Sequence, residues 1–321
     1  MKPYFLSCDW GTSSFRLRLA DTITGAVISQ LSAAEGIAHA YALWQQSGLD
    51  ESRRIDFYLS ILNKYCSQVI KAAGIDAGQT PVIISGMASS SIGMLELPYA
   101  PLPFAVDGSG LVVEEIKATI AFPQPVLLVA GAATGKDVMR GEETQLVGCA
   151  KDVRAGQQVF VFPGTHSKHI VVTAGKATDI ETYMTGEFFA LLSKQSILAG
   201  SVAAGGDMDD NDNKEAFVQA VCESKDQNLL HSSFMVRTNQ LFKKYAAAAN
   251  WFYLSGLLIG TELNKLLNKG TDNITIVGEK KLQDHYRIAL QVLDAGIQVN
   301  TTDADTAIIK GQMVIYHRLF L

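Results

Sequence analysis

Three short strand-like segments in succession occur twice along this chain, and this repeat constrains the fold more than any other feature of the sequence. The first set covers 4–8, 15–20 and 26–31, and the second covers 159–162, 169–173 and 177–182. Turns that contain glycine or polar residues separate the segments, which is typical of an antiparallel meander. The side chains of the two sets differ, so the repeat lies in the order of strands. The sequence therefore predicts two lobes of similar architecture.

Helices and further strands follow both sets, and together they predict an α/β fold. Apolar residues at helical spacing over 54–73 predict a helix that ends at Gly74, and the apolar run 81–84 predicts a buried strand. The proline-spaced residues 97–103 are expected to be irregular, and the small, acidic residues 202–213 to form a mobile surface loop. The remaining predicted elements are strands at 126–130, 274–277 and 296–299, helices at 187–198, 231–249, 251–267 and 279–293, and a C-terminal helix from Asp303.

The length and composition of the chain agree with two globular lobes. Of the 321 residues, 48% are hydrophobic and 18% are charged, which is enough for a sizeable buried core. We place the first lobe at 1–150 together with the C-terminal helix at about 303–321, and the second lobe at 151–302.

Charge and cysteine content narrow the range of partners. The net charge of −5 and the lack of a Lys/Arg-rich run argue against a nucleic-acid partner. The four cysteines lie far apart without a CxxC pair, so we expect reduced thiols and no zinc site. The N-terminus lacks a secretion-signal pattern, and the most apolar segment, 246–260, suits a buried helix better than a membrane span. We expect a cytoplasmic protein without a membrane partner, and it is open whether it forms a homo-oligomer.

The turn after the first strand is a candidate phosphate site. A strand ends there in an acid, and the chain then reverses through glycine and hydroxyl residues. Such a turn directs N–H groups and hydroxyls into one concavity that suits phosphate oxygens, and the acid can hold Mg²⁺ directly or through waters. The same residue types are also common in ordinary hairpin turns. The candidates for metal and phosphate binding are Asp9, Gly11, Thr12, Ser13, Ser14 and Arg16.

The turn after the first strand of the second set, 162–169, occupies the corresponding place. Its glycine and hydroxyl residues could approach a phosphate closely, and Lys168 supplies a cation for the charge that spreads over the phosphate oxygens during transfer. A polar hairpin with a solvated lysine is the alternative. His166 and His169 lack a third ligand in the sequence, so a zinc site is not supported. The phosphate-binding candidates are Gly164, Thr165, His166, Ser167 and Lys168.

Two acids stand at the predicted start of a short helix within 139–148. N–H groups in the first turn of a helix favour acids, so Glu142 and Glu143 could serve only as capping charge. Alternatively, one carboxylate accepts the proton of an attacking hydroxyl during phosphate transfer. Because neighbouring residues on a helix point in different directions, at most one of the two is expected to act in this way.

Taken together, these features resemble the superfamily of sugar kinases, Hsp70 chaperones and actin. The resemblance implies two ribonuclease-H-like lobes of the actin-like ATPase type, each with a phosphate hairpin, and a central interdomain cleft. In that superfamily the first hairpin begins with an acid, which Asp9 matches. The second hairpin contains a Gly-Thr pair, which Gly164 and Thr165 match. ATP is the implied cofactor.

The same resemblance implies an adenosine-binding turn after a late strand, matched here by Gly278 and Glu279. Members of the superfamily habitually have two glycines there and this chain has one, so the adenine contacts stay open. Gly256, in a helix expected to begin at Ser255, is the candidate for the facing wall.

Within the superfamily, segments 8–16, 139–145 and 162–169 resemble 2-dehydro-3-deoxygalactonokinases, and the similarity extends over nearly the whole chain. Such enzymes transfer the γ-phosphate of ATP to the 6-hydroxyl of 2-dehydro-3-deoxy-D-galactonate in galactonate catabolism. The resemblance implies catalytic candidates, substrate candidates, and cations for the substrate carboxylate. The catalytic candidates are Asp9, Glu142 and Glu143. The substrate candidates are Glu35, Gly36, Ser85, Gly86, Met87 and Arg140. The candidate cations for the substrate carboxylate are Arg16, Lys136 and Arg140.

Two other functions compete with the kinase. An exopolyphosphatase-type phosphohydrolase also has a Gly-Glu-Glu segment before a second phosphate hairpin, but it needs room for a polyanion, against which the acidic balance of this chain argues. A non-catalytic sugar-sensing regulator would usually carry a DNA-binding helical domain, and this chain begins with a strand. ATP consumption that depends on an added sugar acid would distinguish the kinase from the hydrolase.

Overall fold

The computed structural model describes residues 2–75, 79–150, 153, 156–267 and 273–320. Their contacts divide the chain into two compact units. The first unit comprises Met1–Gly156, Val172–Ile180 and Ala304–Leu321, and the second comprises Gln157–Val171 and Glu181–Asp303. The predicted lobe boundary at 150–151 falls partly on residue 151, which lies outside the described residues. The resemblance to sugar kinases also implies that the first lobe binds the sugar and the second lobe binds the nucleotide, and this assignment stays a prediction.

Runs of strands and runs of helices follow one another along the chain. In its first half the elements are β1 (Tyr4–Trp10), β2 (Phe15–Asp21), β3 (Val27–Ala33), α1 (Ile37–Ser47), α2 (Arg54–Ala73), β4 (Val82–Gly86), β5 (Ala100–Pro101), β6 (Phe104–Ala105), β7 (Val113–Ile116), β8 (Val126–Val129), β9 (Ala132–Ala133), β10 (Val138–Met139) and α3 (Glu142–Cys149). In its second half they are β11 (Gln157–Phe162), β12 (Ser167–Thr173), β13 (Lys176–Tyr183), α4 (Thr185–Gln195), α5 (Asn211–Glu223), α6 (Leu229–Leu241), α7 (Ala247–Leu267), β14 (Asn273–Gly278), α8 (Lys280–Leu293), β15 (Gln298–Asp303) and α9 (Ala304–Phe320). Short 3₁₀ helices cover Glu51–Arg53, Met87–Ser89 and Ile197–Ser201.

The first sheet has the strand order β3-β2-β1-β4-β8-β7. Strands β1, β2 and β3 pair antiparallel, as the meander predicts, whereas β1, β4 and β8 pair parallel. Leu6 and Trp10 project from one face of β1 into a hydrophobic core that includes α2. On the opposite face, Phe5 stacks on Tyr316 of α9, with ring centroids 6.3 Å apart. Strand alternation places Asp9 on this second face.

The second sheet repeats this arrangement. Its strand order is β15-β14-β11-β12-β13-β6, so that β13-β12-β11-β14-β15 corresponds to β3-β2-β1-β4-β8. Strands β11, β14 and β15 pair parallel, as β1, β4 and β8 do. Val161 and Ile276 belong to a core that helices α5, α7 and α8 complete with Phe217, Ile259 and Tyr286. The prediction of an α/β fold with two ribonuclease-H-like lobes is confirmed.

The predicted single helix over 231–249 was wrong. Helix α6 ends at Leu241, Lys243 adopts a positive φ of 55°, and α7 begins at Ala247. The buried Asn250 explains the interruption, because its amide donates to the carbonyl oxygen of Val236 in α6 at 2.7 Å. This hydrogen bond packs the start of α7 against α6. A single straight helix could not adopt that arrangement.

The predicted surface loop over 202–213 was wrong at its end, because α5 begins at Asn211. The side chain of Asp210 accepts hydrogen bonds from the N–H groups of Asp212 and Asn213. The acids that suggested a loop therefore include a helix N-cap. The prediction also omitted α1, and it treated 97–103 as irregular although β5 lies within it.

All but the first residue of the apolar segment 246–260 lies in α7, and the segment is a buried helix, as predicted. Its Phe252, Tyr253, Leu254 and Leu257 are at most 2% exposed. Across the described ranges, no helix combines the length and apolar character needed to cross a membrane.

A close crossing between α3 and α9 generates a stability prediction. A Cβ atom at Gly311 would lie 1.8 Å from the carbonyl oxygen of Thr144, and one at Gly148 would lie 1.9 Å from that of Ala307. We expect Gly311→Ala to lower the free energy of unfolding by about 1–3 kcal/mol, the usual cost of overpacking. A urea titration measures this change. Gly135→Ala is the control, because nothing lies within 4 Å of a Cβ there. Equal denaturation midpoints for the two variants would contradict this account of the crossing.

Candidate active site

The first hairpin, 11–14, is held by the helix that follows the meander. The N–H of Gly11 donates to the carbonyl of Ser14 at 2.9 Å and closes the turn. The N–H groups of Ile37 and Ala38, at the start of α1, donate to the carbonyl oxygens of Gly11 and Thr12 at 2.9 and 3.1 Å. Because C=O and N–H point in opposite directions across a trans peptide, the next two N–H groups of the hairpin face away from α1. These N–H groups and the exposed hydroxyl side chains at 12 and 13 form one surface suited to an anion.

Gly36 makes this contact between helix and hairpin feasible. A Cβ atom at Gly36 would lie 2.3 Å from the carbonyl oxygen of Thr12, so only glycine fits there. The structure therefore places Gly36, a predicted substrate residue, behind the phosphate hairpin. Its neighbour Glu35 accepts a hydrogen bond from the Trp10 indole N–H at its carbonyl, and its carboxylate lies 3.5 Å from Lys64. A hydrogen bond from Tyr65 is the main cause that lowers the Glu35 pKa.

Asp9 stands at the end of β1 with its side chain 18% exposed. The guanidinium of Arg16 lies 3.4 Å from its carboxylate. Burial raises the pKa of Asp9, while the charges of Arg16 and Arg18 oppose this effect. Ser85 pairs with Asp9 in register, and Gly86 follows with a positive φ of 94°. A Cβ atom at Gly86 would lie 2.8 Å from the Trp10 carbonyl, so this glycine permits the close approach of β4 to the end of β1.

The two acids of α3 lie beside the same strand ends but in different environments. A Cβ atom at Gly141, the residue before α3, would lie 3.5 Å from the Cα of Gly86. The carboxylate of Glu143 is fully buried and accepts hydrogen bonds from the Gly141 N–H at 2.7 Å and the Thr144 hydroxyl at 3.0 Å. Burial, and then the charge of Glu142, raise the pKa of Glu143 to about 7. Glu142 is only half-buried and accepts a hydrogen bond from the backbone N–H of residue 140 at 3.1 Å.

Arg140 is held by contacts with Ser89 and Tyr99. Its Nη1 donates to the carbonyl and the hydroxyl of Ser89 at 2.5 and 2.7 Å. Its guanidinium lies 4.3 Å from the centre of the Tyr99 ring. Ser89 ends the 3₁₀ helix that begins at Met87, so Arg140 is joined to the predicted substrate segment. Lys136 is exposed on a turn.

The second hairpin, 163–166, is built like the first. Gly164, Thr165 and His166 are exposed at its tip. The N–H of Glu187 in α4 donates to the carbonyl oxygen of Thr165 at 3.0 Å, so the N–H of His166 faces away from α4. A Cβ atom at Gly186 would lie 2.5 Å from the carbonyl oxygen of Gly164. Gly186 therefore corresponds to Gly36 of the first hairpin.

Sequence reasoning missed Gly186, although the sequence carries a signal for it. Gly36 is the third residue after β3, and Gly186 is the third residue after β13. Reading the two sets of strands in the same frame would have identified the second glycine.

Ser167 and Lys168 occupy buried positions beside the second hairpin. The Ser167 hydroxyl lies 2.8 Å from the Tyr286 hydroxyl, and Lys168 donates from Nζ to the Thr182 hydroxyl at 2.8 Å. Because they are adjacent in a strand, their side chains lie on opposite faces. Neither side chain is at the exposed tip where the glycine and the threonine stand. His166 is at the tip, with its Nε2 2.6 Å from the Glu187 carboxylate.

Of the predicted adenosine residues, Gly278 and Glu279 lie next to the second hairpin. A Cβ atom at Gly278 would lie 3.5 Å from Pro163, and Glu279 is the N-cap of α8. Gly256 lies within α7, which begins at Ala247 and not at Ser255, and its place at the adenosine stays a prediction. It packs against α5, where a Cβ atom would lie 2.4 Å from the Phe217 carbonyl.

A groove of about 890 Å³ opens along α8 directly after this turn. It lies between α8, the N-terminal part of α5 and the residues that precede α5. Its charged lining residues include Lys214, Lys280, Lys281, Asp284 and Arg287.

Among the described residues, no group of three or more His, Cys, Asp or Glu side chains could hold a metal ion. A Mg²⁺ ion that binds through ATP phosphates and waters requires only one or two carboxylates, so the partly exposed Asp9 fits that role. The four cysteines are free thiols.

The two sheets share the same strand order, and each has a glycine- and hydroxyl-containing hairpin at its first turn. These features define the actin-like ATPase fold of the sugar kinases. The model of the 2-keto-3-deoxy-galactonokinase family matches residues 9–315. A probable 2-dehydro-3-deoxygalactonokinase of Rhizobium meliloti (strain 1021) is 33% identical over 319 residues, which covers 96% of this chain and 95% of that protein. The 2-dehydro-3-deoxygalactonokinase of Escherichia coli (strain K12) is 29% identical over 246 residues, covering 74% of this chain and 79% of that protein.

Solved structures agree with the sequence comparisons. A crystal structure of a candidate 2-dehydro-3-deoxygalactonokinase from Sinorhizobium meliloti matches with a TM-score of 0.81 and 30% identity, over 99% of this chain and 97% of that one. Component A of the (R)-2-hydroxyglutaryl-CoA dehydratase of Acidaminococcus fermentans shares the fold, with a TM-score of 0.51 at 10% identity over the full length of both chains. The chain belongs to the 2-keto-3-deoxy-galactonokinase family and is a phosphotransferase, as the sequence predicted.

The buried Glu143 generates a prediction for stability against pH. Its folded pKa of about 7 lies above the ordinary value of 4.5, so its contribution to stability is complete below about pH 4.5 and is lost as pH rises through 7. Glu143→Gln removes this dependence. We expect the stability of the variant relative to the wild type to increase between about pH 5 and pH 8, by up to about 3 kcal/mol.

Urea titrations of both proteins at several pH values measure this difference. Glu115→Gln, at an exposed position, is the control. If the difference in unfolding free energy between Glu143→Gln and the wild type does not change with pH, then burial does not raise the pKa of the Glu143 carboxyl group.

Proposed function

We propose that this kinase transfers the γ-phosphate of ATP to the 6-hydroxyl of 2-dehydro-3-deoxy-D-galactonate, giving the 6-phosphate and ADP, in galactonate catabolism. The family match supports the class of substrate. The observation that carries the proposal is the shared construction of the two hairpins, each with an exposed hydroxyl residue and a helix N-terminus that donates to a hairpin carbonyl. The free thiols agree with a cytoplasmic location.

In this proposal the hairpins supply the groups that bind ATP phosphate. The outward N–H groups of Thr12, Ser13 and His166 would donate to phosphate oxygens, as would the hydroxyls of the exposed threonine and serine residues. Asp9 would hold Mg²⁺, which neutralises charge on the phosphates. Arg16, 3.4 Å from Asp9, would orient that carboxylate.

We assign proton acceptance to Glu142 and a supporting role to Glu143. A general base must come within hydrogen-bond distance of the substrate hydroxyl, and only the half-buried Glu142 is accessible. Both oxygens of the buried Glu143 already accept hydrogen bonds from the start of α3. Glu143 therefore stabilises the turn that presents Glu142.

Arg140 is the proposed partner of the substrate carboxylate. Its Nη1 binds Ser89, and its ring contact with Tyr99 fixes the plane of the guanidinium. A guanidinium held in this way presents its other N–H groups in a fixed orientation, which favours bidentate binding of a carboxylate. Ser85, Gly86 and Met87 belong to the same strand end and adjoining turn.

Substitution of the acids tests these roles. We expect Asp9→Asn to abolish turnover with little loss of fold, and Glu142→Gln to lower kcat by about 10²–10⁴-fold, the usual contribution of general base catalysis. Glu143→Gln should have a much smaller effect on kcat. The measurement is ADP release in a coupled assay with ATP, Mg²⁺ and a panel of 2-keto-3-deoxy sugar acids.

The same assay tests the reaction itself. ADP release should require an added sugar acid, and phosphorus NMR should show a 6-phosphate product. ATP consumption without a sugar acid would favour a hydrolase and contradict the proposal. Equal and mild effects of the three substitutions would contradict the assignment of the site residues.

We further propose that the adenosine end of ATP lies at Gly278 and Glu279, where the groove along α8 opens. Hydrogen exchange with and without a non-hydrolysable ATP analogue tests this. Peptides that cover 277–288 should gain protection, with α6 as the internal control. Protection confined to other parts of the chain would contradict this placement.

A further inference from the structure

A continuous set of buried hydrogen bonds lies directly behind the second hairpin. Ser167, the first residue after it, has its hydroxyl 2.8 Å from that of Tyr286 in α8. The Tyr286 hydroxyl donates to Oε2 of Glu262 in α7 at 2.7 Å. Oε1 of Glu262 lies 2.8 Å from Nε2 of His169, the second residue after Ser167. All four side chains are at most 3% exposed.

The Glu262 carboxylate fixes the direction of these hydrogen bonds. A carboxylate can only accept, so the Tyr286 hydroxyl donates to it. Burial, and then the charge of Glu262, raise the pKa of Tyr286 well above its ordinary value, which keeps the phenol protonated. Since the tyrosine proton is used in this way, Ser167 donates to the tyrosine oxygen. The Ser167 oxygen then accepts from the N–H of Gly164 in the hairpin, 3.4 Å away.

The same carboxylate also binds the helix on the other side of the hairpin. The hydroxyl of Thr185, the first residue of α4, donates to Oε2 of Glu262. The next residue, Gly186, packs against the carbonyl oxygen of Gly164. Glu262 thus contacts both elements that hold the hairpin, namely β12 through His169 and α4 through Thr185.

We infer that Glu262 and Tyr286 are positioning residues, which fix the second hairpin in the conformation that receives the phosphates of ATP. This inference rests on the proposed binding of ATP phosphate at that hairpin. A buried carboxylate is costly to desolvate and is often replaceable by apolar side chains without loss of stability. Here its partners are the residues that flank one exposed loop, which indicates a role in the conformation of that loop. Ser167 then acts through its contact with Gly164 and does not itself bind phosphate.

Tyr286→Phe tests the inference, because it removes one hydroxyl and preserves the packing of the ring. We expect the KM for ATP to rise by about 3- to 10-fold, the effect of one lost hydrogen bond, with the KM for the sugar acid unchanged. Ser167→Ala should give a similar change, and the double variant should be no worse than either single variant, since both interrupt the same chain of hydrogen bonds.

Tyr253→Phe is the matched control. Tyr253 is also a fully buried tyrosine of the second unit, and its hydroxyl donates to the carboxylate of Glu223 in α5. We expect both tyrosine variants to lower the melting temperature, and only Tyr286→Phe to weaken ATP binding in calorimetry without sugar acid. If wild type binds ATP and Tyr286→Phe binds it equally well, the inference is overturned and the proposed function stands. If wild type does not bind ATP, both are overturned.

Discussion

The close approach of a helix N-terminus to each phosphate hairpin is the contact on which the proposed site depends. At Gly36 and at Gly186 a single methyl group would collide with the backbone of the hairpin, so the helix can reach its hairpin only where glycine stands. Once it does, helix N–H groups bind the hairpin carbonyls, and the hairpin N–H groups point outward. The surface that is proposed to bind phosphate is thus a product of backbone geometry.

Much of the fold could be predicted because strands, turns and helices leave local signals. The two meanders and α2 follow from apolar periodicity and glycine punctuation, and their bounds in the structure are close to those expected. The interruption between α6 and α7 could not be predicted in this way. It depends on Asn250, whose amide binds a carbonyl 14 residues earlier in the chain. Such a contact has no signature in a local window of sequence.

In the candidate site, too, local features could be predicted from the sequence and tertiary contacts could not. Residue types and spacing identified both hairpins and the pair of acids, because phosphate and magnesium chemistry favours a small set of residues. The sequence could not tell Glu142 from Glu143, since burial separates them and burial depends on how α3 packs. It also gave no indication of Glu262 and Tyr286, which lie about a hundred residues or more after the hairpin in the chain and reach it only through tertiary structure.

The crossing of α3 and α9 has a consequence for synthesis on the ribosome. The helix α9 of the first unit, Ala304–Phe320, follows nearly the whole of the second unit in the chain. Translation therefore supplies most of the second unit while the helix that bears the two acids still lacks its partner. During that interval the exposed side of the first sheet, including Phe5, has apolar surface that a chaperone could bind. Packing of α9 against α3 is therefore a late step in the folding of the first unit.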